Sequence, residues 1–225
     1  MTLRKFTFIS ICILLISMMF PCGSHAQKKI EVAKDTTALF QGAVVGADLF
    51  GAVQRQVSDY GQYEAFLRLD LKGRYFPVVE IGRGEGKHDT DPITGISAET
   101  AALYGRIGCD FNVMKNKHDI YKLFVGVRYG YTSFDLKLSH PGVEDKDWGG
   151  TAEYNINEPC NAHWVEGVFG VDAKVVGPLH LGWTFRYRCR VASKSPSVGD
   201  AWYIPGYGRA GGSCLGGTFN LSFGI

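Results

Sequence analysis

The chain has 225 residues, a formal charge of +2, 45% hydrophobic residues and 29 glycines, and its mean hydropathy is close to zero. There is no basic run and no recognition module, which sets nucleic-acid binding aside. After the N-terminal apolar run no stretch is long and apolar enough for a membrane-spanning helix. A soluble core and a barrel with a polar interior give the same averages, so the order of residues has to choose between them.

Residues 1–26 read as an export signal. Arg4 and Lys5 supply the positive start, Phe6 to Phe20 the apolar core, and Ser24-His25-Ala26 the small-residue cleavage site. Cys22 invites a lipoprotein reading, but Pro21 stands where a small residue is needed. Residues 27–41 are a polar periplasmic lead-in, and 42–225 suit one all-β domain. Alternating segments predict strands near 43–53, 62–71, 74–84, 102–113, 120–135, 164–176, 179–191 and 216–225. The connections alternate between short (Lys72-Gly73, Lys115 to Asp119, Gly177-Pro178) and long (54–61, 85–101, 136–163, 192–215). This predicts an eight-stranded antiparallel up-and-down transmembrane β-barrel, with short periplasmic turns and long outer loops.

The two faces of each strand differ in chemistry. Tyr63, Ala65, Leu67, Leu69 and Leu71 oppose Glu64, Phe66, Arg68 and Asp70, and Leu103, Ile107, Cys109, Phe111 and Val113 oppose Tyr104, Arg106, Asp110 and Asn112. In the last strand Phe219, Leu221, Phe223 and Ile225 alternate with Thr218, Asn220, Ser222 and Gly224. Aromatics such as Tyr63, Tyr75, Phe111, Tyr121, Tyr131, Tyr187 and Phe223 fall near strand ends, as interfacial girdles require. The polar faces carry Asp48, Glu64, Asp70, Glu80, Asp110, Glu166 and Asp172, set against Arg68, Arg74, Arg106, Lys122, Arg128, Lys174, Arg186, Arg188 and Arg190. So balanced a set predicts an ion-paired lumen, because unpaired charges are costly away from water, and eight strands enclose little more than their own side chains. A soluble lipocalin-like ligand-binding barrel would need the same faces inverted.

Candidate chemistry is sparse. Ser139, His140, Glu144, Asp145, Asp147 and His163 could supply a Ser/His/acid set acting on lipid or lipopolysaccharide, with His140 or His163 as base. No spacing matches a catalytic motif, and a solvated surface loop is the better account of these residues, which are common in loops. The acidic run Glu144 to Asp147 lacks the glycine of a calcium loop. His163 and Glu166 fall on opposite faces of a strand, so neither metal nor cofactor is expected there. Gly82, Gly84 and Gly86 resemble a phosphate loop, but no helix pattern follows them. Cys109 and Cys189 lie on the apolar parity. Cys160 and Cys214 both precede a downward strand near the outer surface, and export permits a disulfide between them. The stretch 193–217, with Trp202, Tyr203 and Tyr207, reads as a compact lid over the mouth or as an exposed aromatic anchor.

Five stretches, DYGQYEAFLRLDLKGRYFPVVEIG (59–82), GRIGCDFNVMKNKHD (105–119), HWVEGVFGVDAKVVGPLHLGW (163–183), WYIPGYG (202–208) and LGGTFNLSFGI (215–225), together resemble an uncharacterised outer-membrane barrel family of Bacteroidetes, a domain of unknown function. In architecture the chain is similar to small barrels of the OmpA/OmpX type. The resemblance implies an outer-membrane location and carries no reaction, ligand or functional residue. The expectation is therefore a closed, monomeric barrel in contact with outer-membrane lipid and the barrel-assembly machinery. It would meet an extracellular protein or glycan through its outer loops.

Overall fold

Period-two alternation produces strands throughout the C-terminal five-sixths of the chain. In the computed structural model, residues 38–89, 95–116, 119–144, 149, 151–194, 199–209 and 211–225 are described. The expected export signal and residues 27–37 of the lead-in lie outside them. The elements are β1 (Phe40–Asp48), α1 (Leu49–Val57), β2 (Tyr60–Leu71), β3 (Tyr75–His88), β4 (Ser97–Asn112), β5 (Tyr121–Glu144), β6 (Thr151–Val176), β7 (Leu179–Lys194), β8 (Tyr203–Ile204), β9 (Gly208–Arg209) and β10 (Ser213–Gly224).

Eight of the strands close into an antiparallel barrel in the order β1-β10-β7-β6-β5-β4-β3-β2, while β8 and β9 pair only with each other. Closure is made by β1 against β10, with Val44 opposite Gly224 and Asp48 opposite Asn220. Ala43 and Ile225 exchange both backbone hydrogen bonds, at 3.0 and 2.7 Å, so the final residue is held inside the sheet. The ring leaves no edge along its closed length. At one end the connections are tight. Lys72 and Gly73 both have φ near +60° (58° and 64°), the conformation of a type I′ hairpin turn, and the Asp70 carboxylate accepts from Gly73 N at 2.7 Å.

Two expected elements differ from the structure. The segment 43–53 is a strand only as far as Asp48, and Leu49–Val57 is helix, taking up part of the expected loop 54–61. The apolar spacing changes there from two to four (Leu49, Val53, Val57), and Asp48 caps the helix by accepting from Phe50 N at 3.0 Å and Gly51 N at 3.1 Å. The segment 136–163 is no loop. β5 and β6 stay paired from Tyr121 opposite Ala173 up to Glu144 opposite Thr151, so most of it is a ribbon rising beyond β7, which pairs with β6 only as far as Asn161 opposite Lys194. Its tip, with the side chain of Glu144 and with Asp145 to Asp147, lies outside the described residues.

The barrel is inverted relative to a soluble one. Glu64, Arg68, Glu80, Arg106, Asp110, Arg128, Glu166, Arg186 and Arg188 are buried, whereas Leu67, Val79, Ile81, Leu103, Ile107, Val125, Val127, Phe169, Trp183 and Phe185 are exposed. Much of the apolar surface therefore lies outside, and the charged side chains of these strands lie within.

Candidate functional site

The lumen is filled in three levels. At mid-height Arg186, from β7, reaches three acids: Glu80 at 2.7 Å, Glu64 at 3.2 Å and Glu166 at 3.4 Å. Arg106, from β4, bridges the same three, contacting Glu64, Glu80 at 2.9 Å and Glu166 at 3.0 Å. Arg188 adds a contact to Glu166 at 3.3 Å. Two neutral groups complete the shell, with the Tyr104 hydroxyl donating to Glu64 at 2.6 Å and the Trp164 indole N–H to Glu166 at 2.7 Å. Three strands on one side of the ring and two on the other thus meet on a common axis. A buried charge is tolerated only when paired and hydrogen-bonded, and here each carboxylate has at least two cationic partners.

Below this level Arg128 forks onto Asp110, at 2.6 and 2.9 Å, and touches Glu80 at 3.2 Å. Arg68 lies 3.5 Å from Asp110 and 3.8 Å from Asp172, with its guanidinium 4.4 Å above the Phe124 ring. Asp172 also meets His180 at 2.7 Å, and Lys122 meets Asp70 at 2.7 Å near the turns.

The upper level is apolar. Tyr104, Phe134, Leu136, Cys160, Ala162, Trp164, Ala201, Ile204 and Tyr207 form one cluster, so the stretch expected as a lid is drawn into the barrel as a plug. The Arg188 guanidinium donates to Tyr207 O at 2.8 Å, Thr100 Oγ1 to Tyr203 O at 3.3 Å, and Tyr203 OH to Gly61 O at 3.2 Å. The glycine run on β3 makes room for it. A Cβ on Gly84 would come 2.8 Å from Pro205 Cα, and one on Gly86 2.7 Å from the Tyr203 ring. The phosphate-loop resemblance thus has a packing explanation. Gly84→Val is expected to overpack this site by about 1–3 kcal/mol and to loosen the plug. In vesicle-embedded protein, proteolysis at 199–209 should then speed up while the barrel core stays intact, and an unchanged digestion pattern would contradict the plug.

Of the expected lumen set, Glu64, Arg68, Asp70, Glu80, Arg106, Asp110, Lys122, Arg128, Glu166, Asp172, Arg186 and Arg188 lie in the ion-paired interior. Four do not join it. Arg74 is exposed in the β2–β3 turn and Lys174 at the foot of β6, because parity ceases to mean inside once a strand leaves the ring. Arg190 pairs instead with Asp200, at the start of the plug segment, at 2.7 and 2.8 Å. Asp48 is buried, but its carboxylate accepts only backbone N–H groups, those of the helix cap and Phe219 at 3.1 Å. Sequence reasoning missed Trp164, although it shares the parity of Glu166 on β6; Thr184 and Thr218, on the expected polar parity, hydrogen-bond each other on the inner face.

The expected Cys160–Cys214 disulfide is absent, both thiols being free. Their strands are separated in the ring by β7, and each thiol donates to a carbonyl, Cys160 to Glu158 at 3.5 Å and Cys214 to Tyr207 at 3.1 Å. The expected Ser/His set is also not brought together. Ser139 is exposed on the outer face of β5 and the following His140 lies on its inner face, where Nδ1 accepts from Gly142 N at 3.0 Å. His163 faces outward, 2.7 Å from the Tyr129 hydroxyl, while Glu166 points into the lumen. Among the described residues no three His, Cys, Asp or Glu side chains are placed to hold a metal ion. What the interior can do is block passage and hold eight strands in one register.

No curated protein matches the sequence. Among solved structures the chain is similar to a major outer membrane protein from Thermus thermophilus, with a TM-score of 0.43 and 10% identity over 82% of this chain and 98% of that one. It is similar to Ail, the attachment invasion locus protein of Yersinia pestis, solved in complex with the heparin analogue sucrose octasulfate, with a TM-score of 0.37 and 6% identity over 81% and 96%. It is also similar to the N-terminal β-barrel domain of Pseudomonas aeruginosa OprF, with a TM-score of 0.36 and 9% identity over 83% and 99%. The model of a family described as a domain of unknown function (DUF6048) matches residues 5–225, and the chain belongs to that family.

Proposed function

We propose that this chain spans the outer membrane of a bacterium of the Bacteroidetes as a closed, monomeric barrel. It enters by way of the export signal, cleaved near Ala26, and the barrel-assembly machinery. Its role is structural, or a surface interaction with an extracellular protein or glycan through the β5–β6 ribbon and the mouth, and not catalysis. The observation that carries the membrane reading is the outward band of side chains. On β4 it runs from Leu103 to Phe111, and above it the outward residues become Ala101, Glu99 and Ser97. On β5 it runs from Tyr121 to Tyr131, followed by Ser133, Asp135 and Lys137. Eight to ten residue steps measure about 27–34 Å along a strand at ~3.4 Å each. At a tilt of about 40° that is roughly 21–26 Å of height, the thickness of the apolar band of outer-membrane barrels. The polar ends of the ribbon and the acid–base lumen fit water above and a sealed interior.

Gel migration of outer-membrane fractions tests this. Unheated protein should run faster than boiled protein and should be found in that fraction; a soluble protein without a heat-dependent shift would refute the reading. In planar bilayers the purified protein should carry no steady current, since buried ion pairs and the apolar plug fill the lumen. A stable porin-like conductance would contradict the sealed lumen.

A further inference from the structure

Helix α1 is the element that neither the lumen nor the ring requires. One side of it is fully engaged. Gly51 is buried, and a Cβ there would meet the Asp48 carboxylate and Gln62 at 2.7 Å. A Cβ on Gly61 would come within 2.5 Å of the Arg55 backbone, so the helix lies directly against the top of β2. Gln56 donates to the Tyr63 hydroxyl at 3.2 Å, and Arg55 pairs with Glu85 on β3 at 3.0 Å, where Arg83 also meets Glu85 at 2.8 Å. The opposite side carries Leu49, Val53 and Val57, one turn apart, with Phe50 beside them. They are 39, 59, 79 and 53% exposed, and Phe50, at the edge of the stripe, also lines a cavity at the mouth with Gln54, Tyr60 and Tyr203.

The level of this stripe follows from the register. Tyr63 is the uppermost apolar outward side chain of β2, and it stands opposite Arg83, the first charged outward side chain above Val79 and Ile81 on β3. The helix therefore lies where the apolar band ends and charge begins, and its stripe continues the band. A helix of nine residues is too short to persist on its own propensity. Four side chains also offer far less than the roughly 800 Å² per partner of a stable protein interface.

We propose that α1 is an interfacial anchor, its apolar stripe set among the acyl chains of the outer leaflet and its polar side tied to the barrel rim. An amphipathic helix with its polar side paired lies in such an interface. Anchored there, α1 would fix the depth and rotation of the mouth beside β10 and β2. The proposal rests on the membrane reading above, and one experiment separates the two. The unaltered chain is reconstituted in vesicles of saturated phosphatidylcholine, oxidised by hydroxyl radicals and read by mass spectrometry. Val53 of the stripe and Val127 of the outward band are similarly exposed on the bare protein, at 59 and 56%, so they form a matched pair. Equal, low oxidation of both is the expected result. Oxidation of Val53 several-fold faster than Val127 would overturn the anchor and leave the barrel in the membrane. Fast oxidation of both would remove the membrane reading and the anchor together. Protection of Val53 that disappears as the protein is diluted in lipid would indicate a second copy on the stripe and overturn the proposal.

Discussion

Arg186→Met is expected to lower the stability of the folded barrel by about 3–5 kcal/mol, the usual penalty for leaving a buried charge without its partner. From β7 Arg186 meets Glu64, Glu80 and Glu166 together, with Arg106 answering from β4. Its removal leaves three carboxylates to share Arg106, Arg128 and Arg188, and the lumen is too tightly packed for the gap to be closed by movement. Denaturant titration of vesicle-embedded protein, followed by the mobility of unheated samples, reads the loss. Adding Glu80→Gln should restore a good part of it, since the interior charge is then balanced again. A single variant as stable as the unaltered chain would mean that water already solvates these acids, and that the lumen is wet where the ion pairs imply it is dry.

The second large effect is on the other face. Ile107 stands halfway between Leu103 and Phe111 in the outward band of β4, opposite Val79 on one side and Tyr129 on the other, and is well exposed. Ile107→Arg should destabilise the membrane-embedded barrel by about 2–4 kcal/mol, the range for a cation near the bilayer midplane. A matched Lys137→Glu change in the polar part of β5 should be near neutral. The assay is the fraction of heat-modifiable protein recovered from the membrane. Full recovery of the Ile107 variant would mean that this face meets water, and the two faces would have to be exchanged. Arg186 and Ile107 thus probe one expectation from both sides: outward positions within the apolar band should tolerate no charge, and the ion-paired positions of the lumen should depend on it.

Much of this was legible before any coordinates. Alternation placed all eight barrel strands, and parity sorted Glu64, Arg106, Asp110, Arg128, Glu166 and Arg186 onto one face. A period of two is a local property that survives whatever the strand later pairs with. The ends of strands were less legible. β5 and β6 continue well past the point where their outward residues turn polar, because a hairpin can extend in water once its two strands are paired. A polar stretch such as 151–160 carries no local sign of that pairing. The same limit explains Arg74 and Lys174, whose positions near the strand ends leave them exposed, while Arg190 is taken by Asp200 of the plug segment, a partner no local pattern announces.

By itself the sequence determined the architecture: an all-β chain of eight strands, with an apolar and a charged face on each and a final strand that runs to Ile225. These follow from backbone geometry and the two-residue repeat. Only the tertiary structure decided which acid meets which base, since Glu64 and Glu80 from one hairpin and Glu166 from a strand far along the chain converge on Arg106 and Arg186 through the curvature of the closed ring. It also decided that 201–207 enters the barrel, where Gly84 and Gly86 leave space that no local pattern announces. Asp48 ends a strand and caps a helix instead of joining the ion pairs. Cys160 and Cys214 stay apart, because ring order separates strands that share the same height.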